Sequence, residues 1–288
     1  MKLLSLCLVA VLMNIGSLAT AQTDIARVWQ CGIECPGGPI EFRLRISESN
    51  GRLKADVLNG KEEIPVPSVT FNEKQLIVDF EHYDSKITAA HDGEKLKGKW
   101  RKRRGKDEWV EMKFQASPEP GGSALTETDI SDYFGKWLVR FGKSEDPAVA
   151  IFKKGSVGRS RVEGTFLTTT GDYRYLAGNS RKDFRLSCFD GAHAFLFTAK
   201  LQEDGTLKGD FWSSNTWHET WTAKRDANAT LPDAFKQTVM QKETKLDAVA
   251  FPDLDGKMRK LTDPEFAGKA RLIYVFGSWC PNLSLIHI

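Results

Sequence analysis

The chain has 288 residues, room for two or three domains, with 41% hydrophobic and 27% charged residues. That is the balance of an ordinary folded protein, so a disordered or fibrous chain is excluded. A formal net charge of +3 is too small for a dedicated nucleic-acid binder, and no nucleic-acid partner is expected.

The chain opens with Met1-Lys2, an apolar run from Leu3 to Ile15, and the small-residue segment ending Ala19-Thr20-Ala21. This is the pattern of a secretory signal peptide over 1–21, cleaved after Ala21, which predicts a periplasmic or extracellular protein. The run falls short of the roughly 20 residues a membrane-spanning helix requires; the alternative is an uncleaved N-terminal anchor. Cys7 leaves with this segment, while Cys31, Cys35, Cys188 and Cys280 remain. Outside the cytoplasm disulfides persist. Cys31 and Cys35 read as a local disulfide across a turn continued by Pro36-Gly37-Gly38-Pro39, or as two unpaired thiols. No second Cys or His pair at ligand spacing completes a metal site, so no metal is expected. Cys188 alternates with Phe184 and Leu186 and reads as a buried, inert thiol.

From Gln22 to about Arg225 the pattern has period two. Phe42, Leu44 and Ile46 alternate with polar residues, as do Leu76, Val78 and Phe80, and Phe195, Phe197, Ala199 and Leu201 form another stripe. Half-buried antiparallel strands follow. Asn50-Gly51, Asn59-Gly60, Asp92-Gly93 and Asp204-Gly205 supply the turns. A weak repeat pairs Asp92–Trp100 with Asp204–Phe211, each followed by a strand opening on tryptophan, at Trp109 and Trp217. The prediction is two related β-meanders, over 22–117 and 126–226, forming separate domains or the halves of one barrel, with a linker around Ser117–Ser123. A helical linker over 227–245 is expected next, starting at Leu231-Pro232-Asp233.

Several groups have a bland and a sharp reading. The basic run Lys95–Lys106 either contacts anionic lipid or polymer, or forms the solvated tip of a hairpin. Trp100, Trp109, Trp212, Trp217 and Trp221 either line a pocket for a small ligand or fill a core. His82, His91, His193 and His218 show no ligand spacing.

At the end, Asp255-Gly256 marks a hairpin, Pro264-Glu265-Phe266 a short helical turn, and Leu272–Phe276 an apolar strand running through Gly277-Ser278 into Trp279-Cys280-Pro281-Asn282. A cysteine in the first turn of a helix is activated by unpaired backbone N–H groups, and Pro281 suits that turn. The order Asp-Gly-Lys, Leu-Thr-Asp, Gly-Lys, apolar strand, Trp-Cys-Pro resembles the TlpA-type thioredoxin-like disulfide reductases, exported proteins of bacteria. The resemblance implies the start of an α/β thioredoxin-like domain over 246–282. It further implies thiol–disulfide exchange with Cys280 attacking, flanked by Trp279, Pro281 and Asn282. No cofactor is implied, and the partner would be a disulfide-bearing client protein or a membrane electron donor. Leu283 stands where that family carries its resolving cysteine, so the chain reads as a fragment inactive by itself, with 283–288 a non-native tail. The fold expected is thus mostly β, two barrel-like halves followed by part of a thioredoxin-like domain. The alternative function is a non-catalytic exported binding protein of barrel or sandwich type.

Overall fold

The computed structural model describes residues 24–120, 130–156, 161–178, 184–237 and 249–270, with 239, 245, 272 and 273. Two compact units divide the chain, 1–231 and 232–288.

The first unit holds two nine-stranded antiparallel sheets. The first sheet comprises β1 (Val28–Cys35), β2 (Gly38–Ser49), β3 (Arg52–Asn59), β4 (Glu62–Pro65), β5 (Ser68–Asn72), β6 (Gln75–Phe80), β7 (Ser85–His91), β8 (Leu96–Arg103) and β9 (Trp109–Pro118). Its order, β4-β3-β2-β1-β9-β8-β7-β6-β5, curls round but leaves β4 and β5 unpaired with each other. The second comprises β10 (Gly135–Phe141), β11 (Ala148–Lys154), β12 (Val162–Thr168), β13 (Gly171–Asp172), β14 (Leu176–Gly178), β15 (Phe184–Phe189), β16 (Ala194–Leu201), β17 (Leu207–Ser213) and β18 (Trp217–Arg225). Here β11 also pairs with β12, so eight strands close into a barrel and β13 hangs on its rim. The meander is therefore two sheets with two cores, not two halves of one barrel.

The weak repeat becomes a shared register. In the first sheet Ala89, Gly98 and Phe114 lie side by side on β7, β8 and β9. In the barrel Ala199, Gly209 and Trp221 do so on β16, β17 and β18. A Cβ on Gly98 would fall 1.9 Å from the Thr88 carbonyl, and one on Gly209 would fall 2.1 Å from that of Thr198. Only glycine permits this approach, and at Gly209 the Trp221 indole also occupies the space a Cβ would take. Each meander also opens alike: the Trp29 indole donates to the Ile25 carbonyl (3.0 Å) and that of Trp137 to Tyr133 (2.9 Å).

The barrel interior is filled with rings. Phe166 stacks on Phe197 (4.3 Å) and Phe197 on Phe211 (4.5 Å), with Phe141, Phe152 and Trp221 set edge-on around them. An eight-stranded barrel has just the width that side chains fill.

The first sheet completes its core with barrel residues. Phe189, Ala194 and Leu196 belong to that core. Phe189 stacks on Phe42 (4.3 Å) and meets Phe80 and Trp100 edge-on (5.6 Å each). Polar locks surround this plug. The Asn59 amide donates to the Phe189 carbonyl (2.8 Å) and accepts from its N–H (3.3 Å), imitating a strand partner. The Ser187 hydroxyl donates to the Glu41 carbonyl (2.6 Å), and the Cys35 thiol to that of Ser214 (3.2 Å). In the turn after Phe189, Gly191 has φ +87° and a Cβ there would lie 2.3 Å from the Phe80 ring, so no other residue fits.

In the second unit β19 (Ala250–Pro252) and β20 (Met258–Lys260) form a hairpin, followed by a 3-10 turn at Pro264–Phe266. Asp253 binds the backbone N–H groups of Asp255 and Lys257 and the Arg259 side chain, which shapes the turn. The helix expected after Pro232 is only a 3-10 turn at Ala234–Lys236 among the described residues, capped by Asp233. Leu272 and Ile273 are exposed and belong to no strand.

The thioredoxin-like expectation is corrected here. Apart from Asp24–Ile25, helical geometry among the described residues consists of three-residue 3-10 turns, and the folded mass is all β. The order of short motifs that suggested the family is met by a hairpin and a turn, which Asp-Gly and Asp-Pro pairs encode in any fold. Trp279, Cys280, Pro281 and Asn282, like the leader 1–21, lie outside the described residues.

Candidate functional site

Five arrangements compete: the cysteines, the tryptophans, the basic run, a buried charged seam and a groove on the barrel wall. The first three are quickly placed. Cys31 and Cys35 occupy a single strand, β1, both as free thiols. Four residues of strand separate them by about 13 Å, against the roughly 4.4–6.8 Å a disulfide spans. The turn begins only after Cys35, so the local disulfide is corrected to two thiols. Burial pushes the Cys31 and Cys188 thiols far above their ordinary range and raises Cys35 as well, so none serves as a nucleophile. Trp100 and Trp221 are core residues, while Trp109 and Trp217 are exposed and line no common pocket.

The basic run is mostly strand β8, with Arg104–Lys106 in the tip of the β8–β9 hairpin. The outward cations of β8 itself are ion-paired. Lys97 pairs with Asp92 (3.4 Å), Lys99 and Arg101 with Glu111 (3.0 and 3.4 Å), and Arg103 with Asp84 (3.1 Å). Trp109 is sandwiched between the Arg101 and Arg103 guanidinium groups (4.6 and 4.8 Å). This is a salt-bridged, solvated face.

The seam joins the two sheets. Asp190, 3% exposed, lies 3.3 Å from Arg174 and 3.0 Å from Nδ1 of His193, whose backbone N–H it also accepts. Arg174 reaches on to Glu62 on β4 (2.5 Å). Burial opposes the Asp190 charge, but His193 and Arg174 outweigh it and hold the carboxyl below the usual range. Lys102 donates to the Ala192 carbonyl, and burial pushes its pKa down. Perturbed groups of this kind mark functional sites or structural networks. Neither groove described below is lined by any of them, and two of the contacts, Arg174 to Glu62 and Lys102 to the Ala192 carbonyl, bridge the two sheets. We therefore read the seam as structural.

The groove lies on the outer wall of β16, β17 and β18, with a cavity of about 650 Å³, within the range of ligand sites. Strand register builds it. One wall is the row Arg185, Thr198, Asp210, Thr220, each facing the next on adjacent strands. The other is the row Lys200, Lys208, Thr222, which Arg140 of β10 continues. Between them runs the floor, Ala199, Gly209 and Trp221, whose side chains or bare backbone face inward. The bare Gly209 backbone leaves the floor deep. The indole edge of Trp221 lies under it, with Cε2 2.5 Å from where a Gly209 Cβ would be, and the Trp221 N–H is buried without a partner. At the inner end Arg185 donates to the Gly37 carbonyl (3.3 Å) in the β1–β2 turn. A Gly37 Cβ would meet Trp212 at 2.5 Å, which fixes glycine there. Asp210 is engaged by His218 (2.9 Å), itself stacked on Trp212 (4.7 Å).

Lys200, Lys208 and Arg140 make no ion pair among the described residues. Lys208 feels the exposed turn carboxylate of Asp204 without pairing with it. Lys200 and Lys208 stand directly opposite each other, a like-charged pairing that costs stability. A second groove of about 290 Å³ on the first sheet, around Gln30, Pro39 and Gln115, carries Lys95, Lys97 and the Glu41 carboxylate, and its Lys97 is paired with Asp92. Of the barrel-groove residues only the floor positions Ala199 and Trp221 were singled out from the sequence, Trp221 as a pocket or core residue; the two walls were not. The signal was there, in alternate positions of three strands, but reading it requires the register.

No family model and no curated protein matches the chain. Among solved structures, a protein of unknown function from the DUF3598 family of Nostoc punctiforme PCC 73102 is 12% identical. The match covers 70% of this chain and 97% of that one at a TM-score of 0.27. A putative outer membrane protein from Bacteroides fragilis NCTC 9343 is 11% identical, over 70% and 98% of the two chains, with a TM-score of 0.24. Neither likeness carries an assignment, and the TlpA-type resemblance finds no support in any comparison. The barrel described above is built with rings inside and Lys, Thr and Asp on the outer wall of β16–β18. That is the reverse of a membrane-spanning barrel, whose outer band is apolar.

Proposed function

We propose that this chain is an exported, non-catalytic β-barrel binding protein whose ligand site is the outer groove of β16–β18. The observation that carries the reading is a ligand-sized groove walled by hydroxyls and by Lys200 and Lys208, which make no ion pair among the described residues, beside a barrel interior already full of rings. The ligand therefore binds on the wall, in contrast to barrels that hold ligands inside. Export rests on the leader pattern of 1–21. No step of chemistry is assigned, because the buried groups with perturbed titration, Asp190, Lys102 and the thiols of Cys31, Cys35 and Cys188, do not line the groove.

The test is a ligand-observed NMR screen of the full chain against a library of water-soluble neutral and anionic fragments. Thr220→Trp, an exposed strand position that tolerates an aromatic ring, fills the groove without touching either core. Hits on the unmodified protein are expected to disappear in this variant. Hits that all survive the filling, or a complete lack of hits, would overturn the reading.

A further inference from the structure

We infer that the groove takes an acidic polysaccharide, laid across the strands along the Lys200–Lys208–Thr222–Arg140 row; this rests on the groove being a ligand site. Three cations share one row with no carboxylate among them. From β16 to β10 the row crosses three inter-strand gaps, about 14 Å, longer than any single oxyanion. A chain with repeated negative groups answers each cation in turn and relieves the Lys200–Lys208 repulsion.

The facing wall narrows the class. Thr198, Asp210 and Thr220 offer donors and an acceptor, the complement of sugar hydroxyls. The two walls are two residues apart along each strand, about 6.6 Å, a slot for one chain. Neither row presents an aromatic face on which bases could stack, which single-stranded nucleic acid requires. Neither presents an apolar anchor of the kind that dominates protein interfaces. The floor is backbone, Ala199 and the buried Trp221 edge, whose unpaired N–H lies beneath the slot.

Equilibrium titration of the full chain at low ionic strength tests this, with polygalacturonate as the acidic chain, dextran as the neutral one and oligothymidylate as a non-saccharide polyanion. Polygalacturonate is expected to bind more tightly than the other two. Lys200→Gln with Lys208→Gln is expected to weaken it roughly tenfold or more while leaving the thermal midpoint equal or higher. Lys97→Gln with Lys99→Gln, on the ion-paired face of the first sheet, should leave binding unchanged. Equal weakening by the two pairs, equal affinity for oligothymidylate, or no binding of polygalacturonate would each overturn the acidic-chain assignment. If polygalacturonate fails while fragment hits are still lost in Thr220→Trp, the ligand class is wrong and the binding site stands. If both fail, the site is wrong too.

Discussion

Phe189→Ala is expected to destabilise the chain by about 3–5 kcal/mol, the cost of emptying a buried phenylalanine site. The residue is 0% exposed, although it belongs to the barrel strand β15 and its ring lies in the other core. Its neighbours Phe42, Phe80 and Trp100 sit on three different strands of the curled sheet, so no single side chain can collapse into the gap. Phe189→Leu, which keeps much of the volume, should cost less than half as much. Urea unfolding of the full chain followed by tryptophan fluorescence and by circular dichroism measures both. A loss below about 1 kcal/mol for the alanine variant would show that the ring is not the plug of the first sheet.

The second large effect belongs to the seam. Asp190→Asn should cost about 3 kcal/mol at neutral pH, because it removes the buried carboxylate held by His193 and the half-buried Arg174, leaving Arg174 to Glu62 alone. Arg174→Ala should cost a similar amount, and the two should be strongly non-additive. The sign with pH follows from the depressed carboxyl. Its stabilisation is fully present above the ordinary carboxylate pKa of about 4. It is lost as pH falls through the lower folded value. The gap between the unmodified chain and Asp190→Asn should therefore be the same at pH 7 and pH 5 and smaller at pH 3. A gap that stayed constant would mean that charge plays no part in it.

Much of the β architecture could be read in the chain itself. Phe42, Leu44 and Ile46 and then Leu76, Val78 and Phe80 alternate and are buried as alternation requires. The hairpins turn where Asn-Gly and Asp-Gly pairs stand. Alternation failed at β15 and β16. There Phe197 faces the barrel while Leu196 faces the other core, so both sides are buried and the stripe from Phe195 to Leu201 is only half the pattern. A strand shared between two cores looks continuous in hydrophobicity, and nothing local says which core claims which residue. The groove was invisible for a related reason. Lys200, Lys208 and Arg140 are far apart in sequence and look like ordinary solvated residues until the register sets them in line. The TlpA-type resemblance rested on motifs upstream of Trp279 that are turn chemistry, which many folds share.

The matching rows, Ala89-Gly98-Phe114 and Ala199-Gly209-Trp221, give the two meanders one local plan, and they differ in how they close. The barrel seals itself through β11 and β12. The curled sheet never seals and borrows Phe189 and Leu196 from the barrel. Dependence therefore runs one way. Divided between 121 and 129, the later meander would carry its whole interior with it. The earlier meander would be left with Phe42, Phe80 and Trp100 open to water and a strong tendency to clump.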